Sequence, residues 1–200
     1  MTKFLLIRHA ATDSVGKRLS GRMAGVQLNK EGLMQAQALA ERLAGLPLTA
    51  IYSSPLDRAR ETAEPICKAL SLEMEIYEDF NEIDFGEWTN KSIRELEDQP
   101  AFKRFNSFRS STRIPGGELM PEAQVRMVRG LEKLYVRHPN EIVAVISHAD
   151  MIRAAISYYA GIHLDMFQRI EISPASVSVI EMYDETARIS LVNHTGEIKV

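Results

Sequence analysis

The stretch EIVAVIS, Glu141–Ser147, is the segment that decides the fold. Its apolar residues follow one another without alternating with polar ones, which is typical of a strand covered on both faces. The apolar spacing on either side predicts a helix over residues 122–137 and another over residues 151–160. Strands that alternate with helices predict a three-layer α/β sandwich with a central, mostly parallel sheet flanked by helices.

The rest of the chain continues this alternation. Strands are predicted for KFLLI (3–7), TAIYS (49–53) and MEIY (74–77), and a terminal hairpin at the sheet edge for ASVSVIEMY (175–183) and ARISLVN (187–193). Ser54 as N-cap and Pro55 as first helical residue predict a helix start, and Pro65 predicts a kink or a short break in that helix. A further helix is predicted from the spacing of Leu33, Ala36, Leu39, Ala40 and Leu43.

Domain organisation follows from length and composition. The 200 residues are 45% hydrophobic and contain no repeat or linker, so residues 1–200 are predicted to form one domain. Within it, residues 90–115 are polar with scattered phenylalanines, and we expect a short helical cap segment there, over a cleft. Neither composition nor motifs define the oligomeric state, and a homodimer is left open.

Charge and cysteine content exclude several function classes. A net charge of −3 makes nucleic acid or an anionic membrane surface an unexpected partner. Cys67 is the single cysteine, which excludes an internal disulfide and suits a reducing compartment. No apolar run approaches the length of a membrane span, and no signal-peptide pattern is present. A cytoplasmic location is therefore expected.

Charged side chains follow the predicted strands where each strand ends. Arg8 and His9 follow the first strand, His148 follows EIVAVIS, and Arg58 lies in the first turn of the helix after the second strand. Because the carboxyl ends of parallel strands meet at one edge of a sheet, we expect these groups to lie together. A cation in the first turn of a helix opposes the helix dipole unless an anion binds there. The pattern therefore predicts an anion-binding site.

Two points remain open at this stage. The loop after the third strand contains Asp79, Glu82, Asp84 and Glu87, and composition does not choose an acid among them. A metal site is the rival chemistry, with His9, Asp13, His148 and Asp150 as ligands. Arg8 beside such a metal is electrostatically unfavourable, so we expect no metal. The remaining histidines are expected at the surface: His138, His163 and His194.

Six motifs identify a resemblance that spans nearly the whole chain. LIRHAATD, LNKEGLMQAQALAERL, IYSSPLDRARETAEPI, NEIDFGEW, PGGE and VISHADMIRA occur in the order and at the spacing of the histidine phosphatase superfamily, the phosphoglycerate mutase-like enzymes. The resemblance implies an α/β fold and a phosphohistidine mechanism without a metal or other cofactor. It implies that His9 is the nucleophile, that Arg8, Arg58 and His148 form its phosphate pocket, and that Glu82 is the proton donor.

The sequence departs from the family pattern around the phosphate pocket. Ala10 replaces the glycine of Arg-His-Gly, Ser20 stands where most members have glutamine, the usual asparagine is missing, and SHAD replaces Ser-His-Gly-Gly. Thr12, Ser20 and Gly21 are the remaining expected phosphate or substrate contacts. All charged catalytic positions are retained, so we expect an active enzyme with an altered pocket.

The expected function is hydrolysis of a phosphomonoester in a small phosphorylated metabolite. A phosphoglycerate mutase is the first alternative, but the segment between Glu82 and PGGE is short for a mutase lid. A phosphate-binding pseudoenzyme is the second. NEIDFGEW resembles both broad-specificity and α-ribazole phosphatases, and the substrate itself is not defined. Four aromatic residues either line the substrate cleft or pack the cap onto the core: Trp88, Phe102, Phe105 and Phe108.

Overall fold

The computed structural model of this chain describes residues 1–196. Its strands are β1 (Thr2–Arg8), β2 (Leu48–Ser53), β3 (Met74–Ile76), β4 (Ile142–Ser147), β5 (Val177–Met182) and β6 (Ala187–His194). Its α-helices are α1 (Lys30–Leu43), α2 (Asp57–Leu70), α3 (Ile93–Leu96), α4 (Pro100–Ser107), α5 (Met120–Arg137) and α6 (Ala149–Ala160). Three 3₁₀ turns cover Glu78–Phe80, Gly86–Trp88 and Leu164–Arg169.

The sheet confirms the predicted fold class. Its strand order is β3-β2-β4-β1-β5-β6. Strands β3, β2, β4 and β1 pair in parallel, whereas β5 pairs antiparallel with both β1 and β6. The carboxyl ends of β1, β2 and β4 therefore meet at one edge of the sheet, in the middle of its width. The predicted terminal hairpin is β5–β6, and β6 is the outermost strand on that side of the sheet.

Two apolar layers cover the two faces of the sheet. In β1, Phe4 and Leu6 pack into one layer, whereas Leu5 and Ile7 pack into the other, and all four are fully buried. The first layer lies under α5 and α6, the second under α1 and α2. Alternate residues of a strand point to opposite faces, so an unbroken apolar run is what two covered faces require. No α-helix within residues 1–196 is long and apolar enough to cross a membrane.

The start of α2 differs from the prediction. The helix begins at Asp57 after Leu56, and the Ser54 side chain does not cap it. The Ser54 hydroxyl instead lies 2.8 Å from His148 Nε2, a bond to a residue distant in sequence. Of the two expectations for Pro65, the short break is wrong, because α2 continues through that residue to Leu70.

Two other local expectations are corrected. Leu33 lies on α1 but is 56% exposed, so the buried stripe of that helix runs through Ala36, Leu39, Ala40 and Leu43 without it. His138 is not a surface residue, because its ring lies 2.8 Å from the Tyr52 hydroxyl and 2.7 Å from a Glu141 carboxylate oxygen. His163 is exposed, and His194 is half-buried.

Residues 90–115, the cap segment, contain α3 and α4. Trp88 packs edge-on against Phe102 and Phe105, with ring centroids 5.3 and 5.4 Å apart. These three rings are buried and belong to the layer under α5 and α6, whereas Phe108 is 52% exposed. The aromatic residues therefore attach the cap segment to the core, which was the second of the two interpretations.

Candidate active site

A cleft opens at the carboxyl edge of the sheet, between the loop after β1 and the first turn of α6. Its floor is made by the carboxyl end of β1 and the first turn of α2, and the loop after β3 forms one wall. The residues that line it include Arg8, His9, Thr12, Ser14, Arg18, Ser20, Gly21, Arg58, Glu82, Phe85, Ile93, Asp150 and Arg153. Most of the residues predicted for the site are thus brought together, although they come from four separate parts of the chain.

His9 lies at the floor of the cleft, and its side chain is oriented by the backbone. Its ring Nδ1 lies 2.8 Å from the Ala10 carbonyl oxygen, which can only accept a hydrogen bond, so Nδ1 carries the proton. The lone pair is then on Nε2. Burial lowers the pKa of His9 well below its usual value, and the nearby Arg58 and Arg8 lower it further. His9 is therefore a neutral imidazole at neutral pH.

The loop after His9 is held by both helices on its side of the sheet. The Ala10 amide donates to Thr62 Oγ1 at 3.0 Å, and the Ala11 amide donates to Gln35 Oε1 at 2.9 Å. Ala10 is fully buried and does not have a positive φ, so its methyl group introduces no backbone strain. At Gly32 an added Cβ would lie 2.0 Å from the Ala11 carbonyl oxygen. That glycine allows α1 to approach the loop.

Arg8 and Arg58 supply positive charge with unused donors. Arg8 Nη1 donates to the Ile172 carbonyl at 2.7 Å, and Arg58 Nη2 donates to the Gly21 carbonyl at 2.8 Å. Arg8 Nε and Arg58 Nη1 are buried, and neither has a hydrogen-bond partner within residues 1–196. Burial lowers the pKa of both guanidinium groups, which remain charged at neutral pH. Unpaired buried donors on two cations form a site for an anion.

His148 lies beside His9 but does not line the cleft. It is fully buried, and the two ring centroids are 5.2 Å apart. Its Nδ1 lies 3.4 Å from Arg58 Nη2 and 3.7 Å from Glu82 Oε2, while Nε2 faces the Ser54 hydroxyl. Burial, followed by the charge of Arg58, lowers the pKa of His148 well below its usual value. Sequence reasoning placed His148 correctly at the rim but missed Ser54.

Glu82 is the carboxyl group on the cleft wall nearest to these groups. Burial, followed by the negative charge of Asp150, raises the pKa of Glu82 to about 7. Its side chain is 13% exposed, and Oε1 accepts a hydrogen bond from the Ile83 amide at 3.0 Å. Asp79 differs, because Arg129 and Lys133 of α5 bind its two oxygens at 2.5 and 3.0 Å. The structure therefore distinguishes two acids between which composition did not choose.

The backbone around Glu82 is held by two arginines that the sequence did not single out. Arg22 Nε donates to the Glu82 carbonyl at 2.8 Å, and Arg126 Nη1 donates to the Asn81 carbonyl at 2.8 Å. Both arginines also pair with Glu118 of the PGGE motif, at 2.9 and 3.2 Å. Glu118 therefore links the PGGE turn to the loop that carries Glu82.

Thr12, Ser20 and Gly21, which were predicted beside the phosphate site, all line the cleft, the first two with hydroxyl groups and Gly21 with its backbone. Thr12 is buried on the cleft wall and Ser20 is partly buried there. Gly21 lies at the cleft with a φ of +49°, and its carbonyl oxygen accepts a hydrogen bond from Arg58. A Cβ at that position would lie 3.2 Å from Thr89 Oγ1. Gly21 thus orients a guanidinium group through its backbone.

The four residues weighed as metal ligands do not form a ligand cluster. Within the described part of the chain, no group of three or more His, Cys, Asp and Glu side chains has the arrangement to hold a metal ion. The Asp150 carboxylate is already paired with two arginines, because its oxygens accept hydrogen bonds from Arg109 at 2.8 Å and from Arg153 at 2.9 Å. Neither arginine was predicted, although the aspartate two residues after His148 was a visible departure from the family pattern.

Relatives of known sequence or structure cover the whole region. The chain is 34% identical over 199 residues to "Bifunctional protein Rv2228c" of Mycobacterium tuberculosis, with 98% of this chain and 54% of that protein aligned. It thus spans about half the length of that relative. It is 33% identical over 207 residues to "Phosphoserine phosphatase 1" of Hydrogenobacter thermophilus, covering 100% of this chain and 97% of the other.

The solved structure of YhfR from Bacillus stearothermophilus superposes on the chain with a TM-score of 0.92 at 26% identity and covers 100% of both chains. The family model that matches the sequence extends over residues 4–195 and includes every residue of the cleft described above. The chain belongs to the histidine phosphatase superfamily, branch 1.

Proposed function

We propose that this chain hydrolyses a phosphomonoester of a small metabolite through a phosphohistidine formed on His9. One observation carries the proposal: the unprotonated Nε2 of His9 shares the cleft with two guanidinium groups whose buried N–H donors are unpaired. A neutral imidazole is a nucleophile. Arginine donors match the oxygens of a phosphoryl group and stabilise the charge that shifts onto them in the transition state.

In the first step His9 Nε2 attacks phosphorus in line with the leaving oxygen. The N–P bond forms as the P–O bond to the leaving group breaks, and protonated Glu82 gives its proton to that oxygen. The products are phosphohistidine, an alcohol and the Glu82 carboxylate. A pKa of about 7 keeps a substantial fraction of Glu82 protonated near neutral pH, as this step requires.

In the second step a water molecule attacks the phosphohistidine. The Glu82 carboxylate takes a proton from the water as the new P–O bond forms and the N–P bond breaks. Inorganic phosphate leaves, and both His9 and Glu82 return to their starting states. Arg8 and Arg58 neutralise the phosphoryl oxygens in both steps, a role that metal ions have in kinases, so the reaction needs no metal.

His148 and Ser54 support the phosphate pocket. Arg58 Nη2 can only donate and lies 3.4 Å from His148 Nδ1, so Nδ1 accepts a hydrogen bond and the ring proton is on Nε2, which donates to the Ser54 hydroxyl. We infer that these two contacts fix the His148 ring, which in turn holds the Arg58 guanidinium in the phosphate pocket. Thr12 and Ser20 add hydroxyl donors on the cleft wall.

The substrate class is narrowed by the relatives. One of them is named a phosphoserine phosphatase, which makes phosphoserine the first compound to test. Mutase activity is disfavoured because residues 83–114 provide only two short helices to cover the cleft. A pseudoenzyme is disfavoured because His9, Glu82 and the two arginines all face one cleft. That residues 1–200 act as one unit in the cytoplasm remains a prediction, and a homodimer is still left open.

Trapping the intermediate tests the proposal. The purified protein is incubated with ³²P-labelled phosphoserine and with other labelled alkyl phosphomonoesters, then quenched in base. We expect a base-stable, acid-labile label that is absent from His9→Ala. His163→Ala is the matched control, since that histidine is exposed and outside the cleft, and it should label like the wild type. A label that survives acid, or that persists in His9→Ala, contradicts the proposal.

A further inference from the structure

The cap segment reaches the cleft through a buried cation, Arg109. Arg109 is 6% exposed, and its guanidinium carbon lies 4.4 Å from the ring centroid of Phe105 and 4.8 Å from that of Phe167. Nη1 donates to Asp150 Oδ2 at 2.8 Å, and Nη2 donates to Asn106 Oδ1 at 2.8 Å. Two aromatic faces and two hydrogen bonds leave this guanidinium little freedom, and Asp150 is its counter-charge.

Asp150 makes a second contact at the cleft. It is the second residue of α6, it lines the cleft, and its Oδ1 accepts from Arg153 Nη1 at 2.9 Å. Its side chain is 14% exposed, so its field is only partly screened by water. The two arginines hold the pKa of Asp150 below its usual value although burial alone would raise it, which keeps the carboxylate ionised.

The charges that shift the pKa of Glu82 come from β1, α2 and α6, and Asp150 on α6 is the one that raises it. Arg8 at the end of β1 and Arg58 of α2 are cations that favour an ionised Glu82. His9 and His148 are neutral at neutral pH. Asp150 of α6 favours the protonated form of Glu82. Arg22 and Arg126 bind the Glu82 backbone carbonyl, at 2.8 and 3.2 Å.

We propose that Asp150 is a positioning residue that ties the cap segment, through Arg109, to the start of α6 and places a fixed negative charge on the cleft that Glu82 also lines. The inference rests on the proposed function, because it requires Glu82 to be the proton donor. It also gives a physical reason for SHAD: the aspartate is the partner of a cation that the cap segment buries against the core.

The two partners of this pair have opposite effects on Glu82. Asp150→Asn removes the negative charge, so Glu82 ionises more easily and its pKa, the pH at which it loses its proton, falls. Arg109→Met fills the space between the two rings but leaves Asp150 with one cation instead of two. The negative charge of Asp150 is then less compensated, so the net negative potential at Glu82 increases and the pKa of Glu82 rises. If Arg109 only kept the cap closed, its loss would admit water and lower that pKa.

The test is the pH dependence of His9 phosphorylation in single turnover at saturating alkyl phosphomonoester, from pH 5 to 9. We expect the alkaline limb to move down by about one pH unit in Asp150→Asn and up by about half a unit in Arg109→Met. Glu181→Gln is the matched control. It removes a buried carboxylate that also faces two cations, Arg188 and Lys3, at the far end of the sheet. It should leave the limb in place.

Each outcome separates the two proposals. An alkaline limb that persists unchanged in Glu82→Gln contradicts the proposed role of Glu82, whatever the other variants do. If that limb depends on Glu82 but moves down or stays in place in Arg109→Met, the inference about Asp150 is wrong. Should Asp150→Asn fail to fold, Arg109→Met still decides the matter, since only its upward shift distinguishes a charge effect from a loosened cap.

Discussion

Glu82 and Glu181 are both largely buried carboxyl groups, and they lie at opposite ends of the sheet. The Glu82 side chain is 13% exposed and that of Glu181 5%. Arg188 donates to Glu181 through Nε and Nη2, at 2.9 and 2.5 Å, and Lys3 Nζ lies 3.5 Å away. Within residues 1–196 Glu82 has no such ion pair with an arginine or lysine, and its side chain faces the neutral His148 at 3.7 Å.

The pKa values of the two carboxyl groups are therefore shifted in opposite directions. Burial raises the pKa of Glu82 to about 7, with Asp150 adding to the effect. Burial acts in the same direction on Glu181, but hydrogen bonds from Arg188 and Tyr183 outweigh it and lower the pKa of Glu181 below its usual value. Burial alone thus does not decide the state of a carboxyl group; the partners it is buried with do. One end of the sheet holds a carboxyl group that can keep its proton near neutral pH, the other an ion pair.

The largest expected effect is on catalysis. Glu82→Gln should reduce kcat for an alkyl phosphomonoester by roughly 10²–10⁴-fold, the usual contribution of a general acid–base group. Phosphorylation of His9 by an aryl ester should suffer less, since a phenolate leaves without a proton. Glu181→Gln should keep its rate with both substrates. Equal and small losses for both esters in single-turnover measurements would show that Glu82 is not the acid.

The second effect is on the pH dependence of stability. Between the unfolded pKa of about 4.5 and the folded value of about 7, the native protein holds a proton on Glu82 that the unfolded chain has released. Raising the pH through this window therefore destabilises the native state, by about 3 kcal/mol for the full shift. Glu82→Gln removes this penalty. Urea unfolding at pH 5 and at pH 8 should show the variant gaining stability relative to the wild type, and an unchanged difference would contradict the raised pKa.

Glu181 should behave in the opposite way. Its lowered pKa means that the ion pair stabilises the native state above the unfolded pKa and that this contribution is lost as the pH falls through the folded value. Glu181→Gln should lower the free energy of unfolding by about 1–2 kcal/mol at pH 7, because the mostly buried Lys3 loses its counter-charge. The loss is limited because the exposed Arg188 can be solvated by water instead. The same urea measurements at pH 7 and pH 3 check this, and the difference from wild type should shrink at pH 3.

The smallest expected effect is that of a chelator. In the proposed reaction Arg8 and Arg58 neutralise the phosphoryl group, so treatment with EDTA should leave the rate of an alkyl phosphomonoesterase assay unchanged. Loss of activity with EDTA and its return with one added divalent metal would instead support a metal site at the cleft.

Much of the site was predictable because strand ends in a parallel sheet share one edge. The unbroken apolar runs of β1 and β4 indicated strands with two covered faces, and Arg8, His9 and His148 follow them directly. Arg58 was visible as a cation placed against the helix dipole. These inferences use only local spacing and a general property of parallel sheets, so they did not require the structure.

Other features depend on pairs that are distant in sequence. Ser54 was expected to cap α2 but binds His148, 94 positions away. Asp79 and Glu82 are equivalent acids in composition, and only Arg129 and Lys133 on α5 make one an ion pair. The family resemblance implied the role of Glu82, but it gave no reason for the aspartate in SHAD.

The amino-acid order by itself therefore determined which strands form and which groups end at their common carboxyl edge, since these depend on local spacing and on the two-residue period of a strand. The tertiary structure decided the protonation of each group. Proton affinity depends on burial and on charges contributed by other elements, and Arg58 and Asp150, the latter bound to Arg109, come together at the cleft only after the chain has folded.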